Sequence, residues 1–141
     1  MVILDTNVVS EFIRPTPDGR VYDWLEAQPA ESVFLTAVAE AELLYGVHLL
    51  PESRRKDHLV AAITQMLEVD FQSGLLPFDS GAARFFGSLA AHRRQIGRPI
   101  ALADAQIAAI ARSRGADVAT RNTADFLDCG LTLIDPWQTE S

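Results

Sequence analysis

The chain begins MVILDTN, a short apolar run that leads directly into a carboxylate at Asp5. A second acid, Asp104, stands in PIALADAQIAAIA, where its neighbours at helical spacing, Ile100, Ala101, Ile107 and Ala108, are all apolar or small. Charged groups are seldom buried without a partner, so a carboxylate on a packing stripe needs a reason. Glu40 and Glu42 both lie in AVAEAELLYG among apolar residues one turn away, and periodicity does not choose between them. Gly46, a turn beyond Glu42, costs ~1 kcal/mol of helix propensity and is expected to remove bulk beside that carboxylate. Asp125 follows Asn122 by three residues in TRNTADF. Acids from these four stretches, brought together, would repel one another strongly unless divalent cations held them. An all-oxygen donor set without His or Cys suits Mg²⁺ or Mn²⁺.

Each acid also has a purely structural role open to it. Asp5 or Thr6 can cap the helix that follows. Asp104 can complement the dipole of its helix from the first turn. Glu40 or Glu42 can be a solvated glutamate on a helix edge. Asn122 reads as a helix cap with Asp125 as its reciprocal partner. No other catalyst competes with the acids. His48, His58 and His92 fall on separate helical patterns without metal-ligand spacing, and Cys129 has no evident activating partner. Neither a GxSxG elbow nor a phosphate-cradling glycine loop occurs.

The elements that must position these residues alternate along the chain. Val2 to Leu4 reads as a short buried strand, followed by a helix from Val8 to Ile13 and a loop at RPTPDGR, where two prolines and a glycine cannot continue a helix. A short helix is expected over Val21 to Ala27 and a strand over Ser32 to Leu35. Ala37 to Leu50 and Ser53 to Phe71 are long helical patterns separated by Pro51. Leu75 to Phe78 reads as a third strand, with Asp79 and Ser80 capping a helix that runs to about Ile96. After a loop at GRP comes an alanine-rich helix from Leu102 to Ser113, closed by Gly115. Asp117 to Arg121 and Leu131 to Ile134 supply two last strands. The pattern predicts one α/β domain over residues 1–141, a sandwich around a mainly parallel five-stranded sheet. In such sheets, sites form outside the carboxyl ends of the strands where strand order reverses. Asp5 follows the first strand, and Asn122 and Asp125 follow the fourth.

Composition bounds the function classes. A chain of 141 residues with 48% hydrophobic and 22% charged residues is long enough to bury its own core. Cys129 stands alone, which rules out an intrachain disulfide and points to a reducing compartment. With neither a signal-like start nor an apolar run of membrane-spanning length, the expected location is cytoplasmic. Nineteen acidic against twelve basic residues give a net charge of −7, which argues against simple electrostatic coating of nucleic acid. Basic residues cluster at Arg54-Arg55-Lys56, at Arg93-Arg94 with Arg98, and at Arg112, Arg114 and Arg121. Such clusters read as solvated helix faces, with a substrate track as the lesser alternative.

ILDTNVVSE, AELLYGV, ADAQIAAIA and ATRNTADF, in this order and spacing, resemble the four motifs of PIN-domain ribonuclease toxins of the VapC type, the FitB-like branch in particular. The resemblance runs from Val2 to the closing LTLIDPW. It implies a small α/β/α sandwich and a Mg²⁺- or Mn²⁺-dependent endoribonuclease that is the toxin of a type II toxin–antitoxin pair. Carried over by motif, the catalytic and metal-holding acids are Asp5, Glu42 (rather than Glu40), Asp104 and Asp125. Thr6, Asn7, Thr120 and Asn122 are their supporting neighbours. Many PIN proteins carry an acid where Asn122 stands, which leaves open whether Asn122 or Asp125 completes the site. The implied partners are an RNA substrate, a second copy of the chain, and a small DNA-binding antitoxin. Such an antitoxin packs a helix into an apolar groove, which the stretch from Ala37 to Phe71 can supply, and points a basic side chain at the acids. Two other readings are a PIN nuclease of RNA processing without an antitoxin, and a catalytically idle binding scaffold whose acids are caps.

Overall fold

Val2–Leu4 forms β1, and all three of its residues are buried, as expected for a strand covered on both faces. Side chains alternate across it. Val2 and Leu4 pack on one side with Leu35, Ala119 and the helices that follow the first two strands, while Ile3 packs on the other with Val118 and the last two long helices. The computed structural model describes residues 1–71 and 74–138. Its strands are β1, β2 (Val33–Thr36), β3 (Leu75–Leu76), β4 (Asp117–Ala119) and β5 (Leu133–Ile134). They form one sheet in the order β3-β2-β1-β4-β5, and every pairing is parallel.

Helices α1 (Thr6–Phe12), α2 (Gly19–Glu26), α3 (Ala37–His48) and α4 (Arg54–Gln65) contribute to the core on one face; α5 (Ser80–Gln95) and α6 (Leu102–Arg114) cover the other. Single side chains fix several helix starts. The caps are Asp5 on α1, Asp18 on α2, Thr36 on α3, Ser53 on α4 and Asp79 on α5, each accepting a backbone N–H from the first turn. α6 stops at Gly115, whose φ of +63° is the left-handed conformation that favours glycine.

The layered sandwich follows the expectation, with adjustments: β3 stops at Leu76 instead of Phe78, β5 begins at Leu133 instead of Leu131, and four further points differ. The sheet is wholly rather than mainly parallel. α1 starts at Thr6 instead of Val8, because the Asp5 carboxylate takes the Thr6 N–H at 2.8 Å and begins the helix at once. The long pattern after Pro51 is α-helical only to Gln65 and continues as a π-helical turn over Met66–Asp70, and Gln72 and Ser73 lie outside the described residues. β4 ends at Ala119, so Thr120 and Arg121 lie beyond the strand. Among the described residues no helix is long and apolar enough to cross a membrane.

The sheet runs outward from β1 in both directions, through β2 to β3 and through β4 to β5. Strand order reverses between β1 and β4, the place where open α/β sheets leave a crevice. In register, Leu4 pairs with Ala119, so the residues that follow, Asp5 and Thr120, leave the sheet side by side.

Candidate active site

Asp5 is buried, and three groups hold its carboxylate. Oδ1 accepts the Thr6 N–H, while Oδ2 accepts the Thr120 hydroxyl at 2.8 Å and the Asn7 side-chain amide at 3.2 Å. Its backbone N–H continues the ladder to the Ala119 carbonyl at 2.8 Å. Thr120, fully buried, is the hub of this end of the sheet: while donating to Asp5, its oxygen accepts the Asn122 N–H at 3.0 Å and faces the Asn7 amide at 3.5 Å. The Asn7 side-chain oxygen, Oδ1, in turn accepts the Arg121 backbone N–H. Asp5 is therefore both the cap of α1 and an acid at the crevice. The two roles use different oxygens.

Glu42 reaches the same place from α3, where its Oε1 accepts the Thr6 hydroxyl at 2.7 Å. Asp104 enters from the first turn of α6 and accepts no hydrogen bond from the described residues. Together Asp5, Thr6, Asn7, Glu42, Asp104 and Asn122 line one open cavity of about 450 Å³. Glu40 does not line it. Asp125, on the short 3-10 helix Thr123–Phe126, is exposed and stands outside the cavity wall, although its charge reaches both Asp5 and Asp104.

Two expectations about neighbouring residues do not hold. The side chain of Asn122 makes no capping bond, and the contact between Asn122 and Asp125 is a backbone one, from the Asp125 N–H to the Asn122 carbonyl at 3.0 Å. The turn is too short and too tightly wound for the reciprocal α-helical cap. A Cβ at Gly46 would meet nothing within 4 Å, so Gly46 does not make room for Glu42. It lines a separate apolar groove with Leu43, Val47, Leu50, Leu59 and Ile63, which opens beside Thr6 and Glu42.

The acids feel one another. Burial raises the Asp5 carboxyl above its ordinary value, with the Thr120 and Thr6 hydrogen bonds opposing it and the charges of Glu42 and Asp125 adding to it. Asp104 is pushed up to about 6, first by burial and then by Asp5, Asp125 and Glu42, with Arg93 offsetting part of the rise. The donor set is all oxygen, and its mutual repulsion is what a cation would relieve. Among the described residues, no three His, Cys, Asp or Glu side chains are gathered into a ready-made cage. An ion held by one or two carboxylates and otherwise by water, as Mg²⁺ commonly is, fits such an arrangement.

The other candidate groups lie elsewhere. His48, His58 and His92 are exposed and away from the cavity. Cys129 is buried, and burial raises its thiol above the ordinary value, the opposite of activation. The basic clusters prove heterogeneous. Arg93 is buried instead of solvated, and it donates to the carbonyls of Arg98, Asp125 and Leu127 at 2.7 to 2.9 Å. It thereby ties the turn that carries Asp125 to α5.

Ser10, Glu11 and Trp137 also line the cavity, and sequence reasoning gave none of them a part in the site; Arg121, read as one of a basic cluster with a substrate track as the lesser alternative, lines it too. Glu11 is buried and accepts from Arg14 and from the Asp18 N–H. Its place at the end of ILDTNVVSE, one turn beyond Asn7, was the signal that could have found it.

The geometry of an acid after β1, a threonine after β4, and further acids from α3 and α6 has its counterpart in sequence. The PIN domain profile matches residues 2–128. The chain belongs to the PIN-domain family. This PIN domain is 38% identical to the toxin FitB of Neisseria gonorrhoeae, over 97% of this chain and 99% of that one. It is 37% identical to the VapC ribonuclease Y4jK of Sinorhizobium fredii, over 98% and 99% of the two chains. Among solved structures, FitAB bound to the IR36 DNA fragment superposes with a TM-score of 0.93 at 37% identity, covering 100% of this chain and 99% of that one.

Proposed function

We propose that this PIN domain is a Mg²⁺- or Mn²⁺-dependent endoribonuclease and the toxin of a type II toxin–antitoxin pair. The observation that carries the reading is the convergence of Asp5, Glu42 and Asp104 on one open cavity at the point where strand order reverses. The relatives named FitB toxin and VapC ribonuclease support it. A divalent ion held there would activate water and stabilise the departing oxygen of a phosphodiester.

The chain's own residues supply the rest. Asp5 and Asp104 are the direct ligands in this reading. Thr6, Asn7 and Thr120 hold the Asp5 carboxylate in one orientation, and Thr6 links it to Glu42. Glu42 serves as a further ligand or orients water. Asp125, outside the cavity wall, acts through its field on Asp5 and Asp104, and the cavity position next to them belongs to Asn122. Cleavage of RNA by purified protein should require added Mg²⁺ or Mn²⁺, stop with chelator, and be lost in Asp5→Asn and Asp104→Asn. Folded variants that keep full activity would reject the assignment.

The apolar groove between α1, α3 and α4 supports a helical antitoxin as partner, because Thr6 and Glu42 belong to both groove and cavity. A helix seated in the groove would end beside the acids, where a basic side chain could occupy the cation's place. The FitAB assembly was solved with DNA, which supports a DNA-binding partner, and a homodimer completes the proposal.

A further inference from the structure

Arg121 is the one cation among the described residues that line the acidic cavity. Among the described residues it forms no ion pair, although Asp5, Glu11, Glu42 and Asp104 line the same cavity. Its guanidinium lies 5.0 Å from the centre of the Trp137 ring. Trp137 is itself only 4% exposed and packed in the core, and its backbone N–H donates to the Asp135 carboxylate at 2.9 Å. The Arg121 backbone is tied to Asn7, two residues from Asp5. The side chain is thus exposed but pre-positioned: the ring holds the guanidinium at cation–π distance, and among the described residues the guanidinium N–H groups donate to no side chain or carbonyl.

We infer that Arg121, seated on Trp137, grips a phosphate of the RNA strand next to the one being cut. The inference rests on the ribonuclease reading above and adds to it the residue that draws an anionic strand into an anionic cavity. A chain of net charge −7 repels RNA at long range, so capture depends on a local cation. A bidentate guanidinium suits a phosphate, and a stacked one has already lost most of its side-chain freedom. The carboxylates cannot supply this contact, and no second arginine or lysine lines the cavity among the described residues.

Steady-state cleavage of a short single-stranded RNA over a salt series tests it, with the parent, Arg121→Ala and Arg121→Lys. Arg121→Ala should raise KM roughly tenfold with little change in kcat. It should also lower the slope of log(kcat/KM) against log[salt] by about 0.7, the mark of one lost phosphate contact on a single strand. Arg121→Lys should keep the parent's slope and fall between the two in KM, because charge survives and stacking does not. Mn²⁺-dependent thermal stabilisation should be the same in all three proteins. A parent KM and salt slope in Arg121→Ala, or a loss confined to kcat, would overturn the inference and leave the ribonuclease reading intact. A parent that cleaves no RNA with either metal would overturn both.

Discussion

One hydroxyl joins the two central strand ends. Thr120 uses its proton on Asp5 and its oxygen on the Asn122 N–H, so both sides of the crevice depend on it. Thr120→Val keeps the shape and removes both bonds, leaving a buried carboxylate and a backbone N–H short of partners. It should cost about 1–3 kcal/mol in chemical denaturation. Because the Thr120 bond holds the Asp5 carboxyl down against burial, its loss should raise that group further, and the acid limb of the activity profile should move to higher pH. Asp104 makes the complementary test. Its carboxyl, ordinarily near 3.8, sits at about 6 in the folded chain, so the fold binds that proton more tightly than the unfolded chain does. Its contribution to stability is therefore complete below the ordinary value and disappears as pH rises through about 6. Asp104→Asn should flatten that fall. In chelator at neutral pH it should be at least as stable as the parent, by on the order of 1 kcal/mol. Added Mn²⁺ should stabilise the parent and do little for the variant. A destabilised Asp104→Asn with a parent indifferent to Mn²⁺ would instead mark Asp104 as a helix-dipole residue.

At the scale of elements, the turn after β4 is held from outside by α5. Arg93 reaches it through the carbonyls of Asp125 and Leu127, and pins the end of its own helix through Arg98. Arg93→Met would bury three carbonyls without their donor, at a cost on the order of 3 kcal/mol. Amide exchange over Thr123–Phe126 should quicken more than elsewhere. Arg93→Lys should not rescue it, since one ammonium cannot reproduce the fork. Nothing in HRRQIGR distinguishes this arginine from Arg94 beside it, because its burial depends on a turn that returns from some thirty residues later. The strands and two helix caps were legible for the opposite reason. β1, the cap at Asp5 and the cap at Asp79 are set by neighbours within a turn, and periodicity sees that range. Choosing Glu42 over Glu40 needed the family motif, and the structure has Glu42 at the cavity. The cap assigned to Asn122 failed because a 3-10 turn offers different amides from an α-helix, and sequence does not separate the two. Arg121 stood out only as one of a basic cluster, and its setting was hidden for a similar reason: its partner, Trp137, follows a whole strand later.

The whole molecule carries an acidic cavity and an apolar groove that share a wall. One partner could therefore cover both. If the proposed antitoxin is the partner, its co-expression should give a stable complex with suppressed cleavage, and Leu59→Asp, in the groove, should break that complex while leaving cleavage by the free chain intact. Separate elution of the two chains at micromolar concentration would count against the pairing. The sheet order has a consequence in time. β1 is central and pairs with β4, so Val2 waits for Asp117 and the crevice waits for Thr120. During synthesis every earlier length of chain lacks one wall of the site, and the arginine and its tryptophan arrive later still. A nascent chain of this protein therefore cannot close its acidic cavity until Trp137 has been made, long after Asp5 and Glu42.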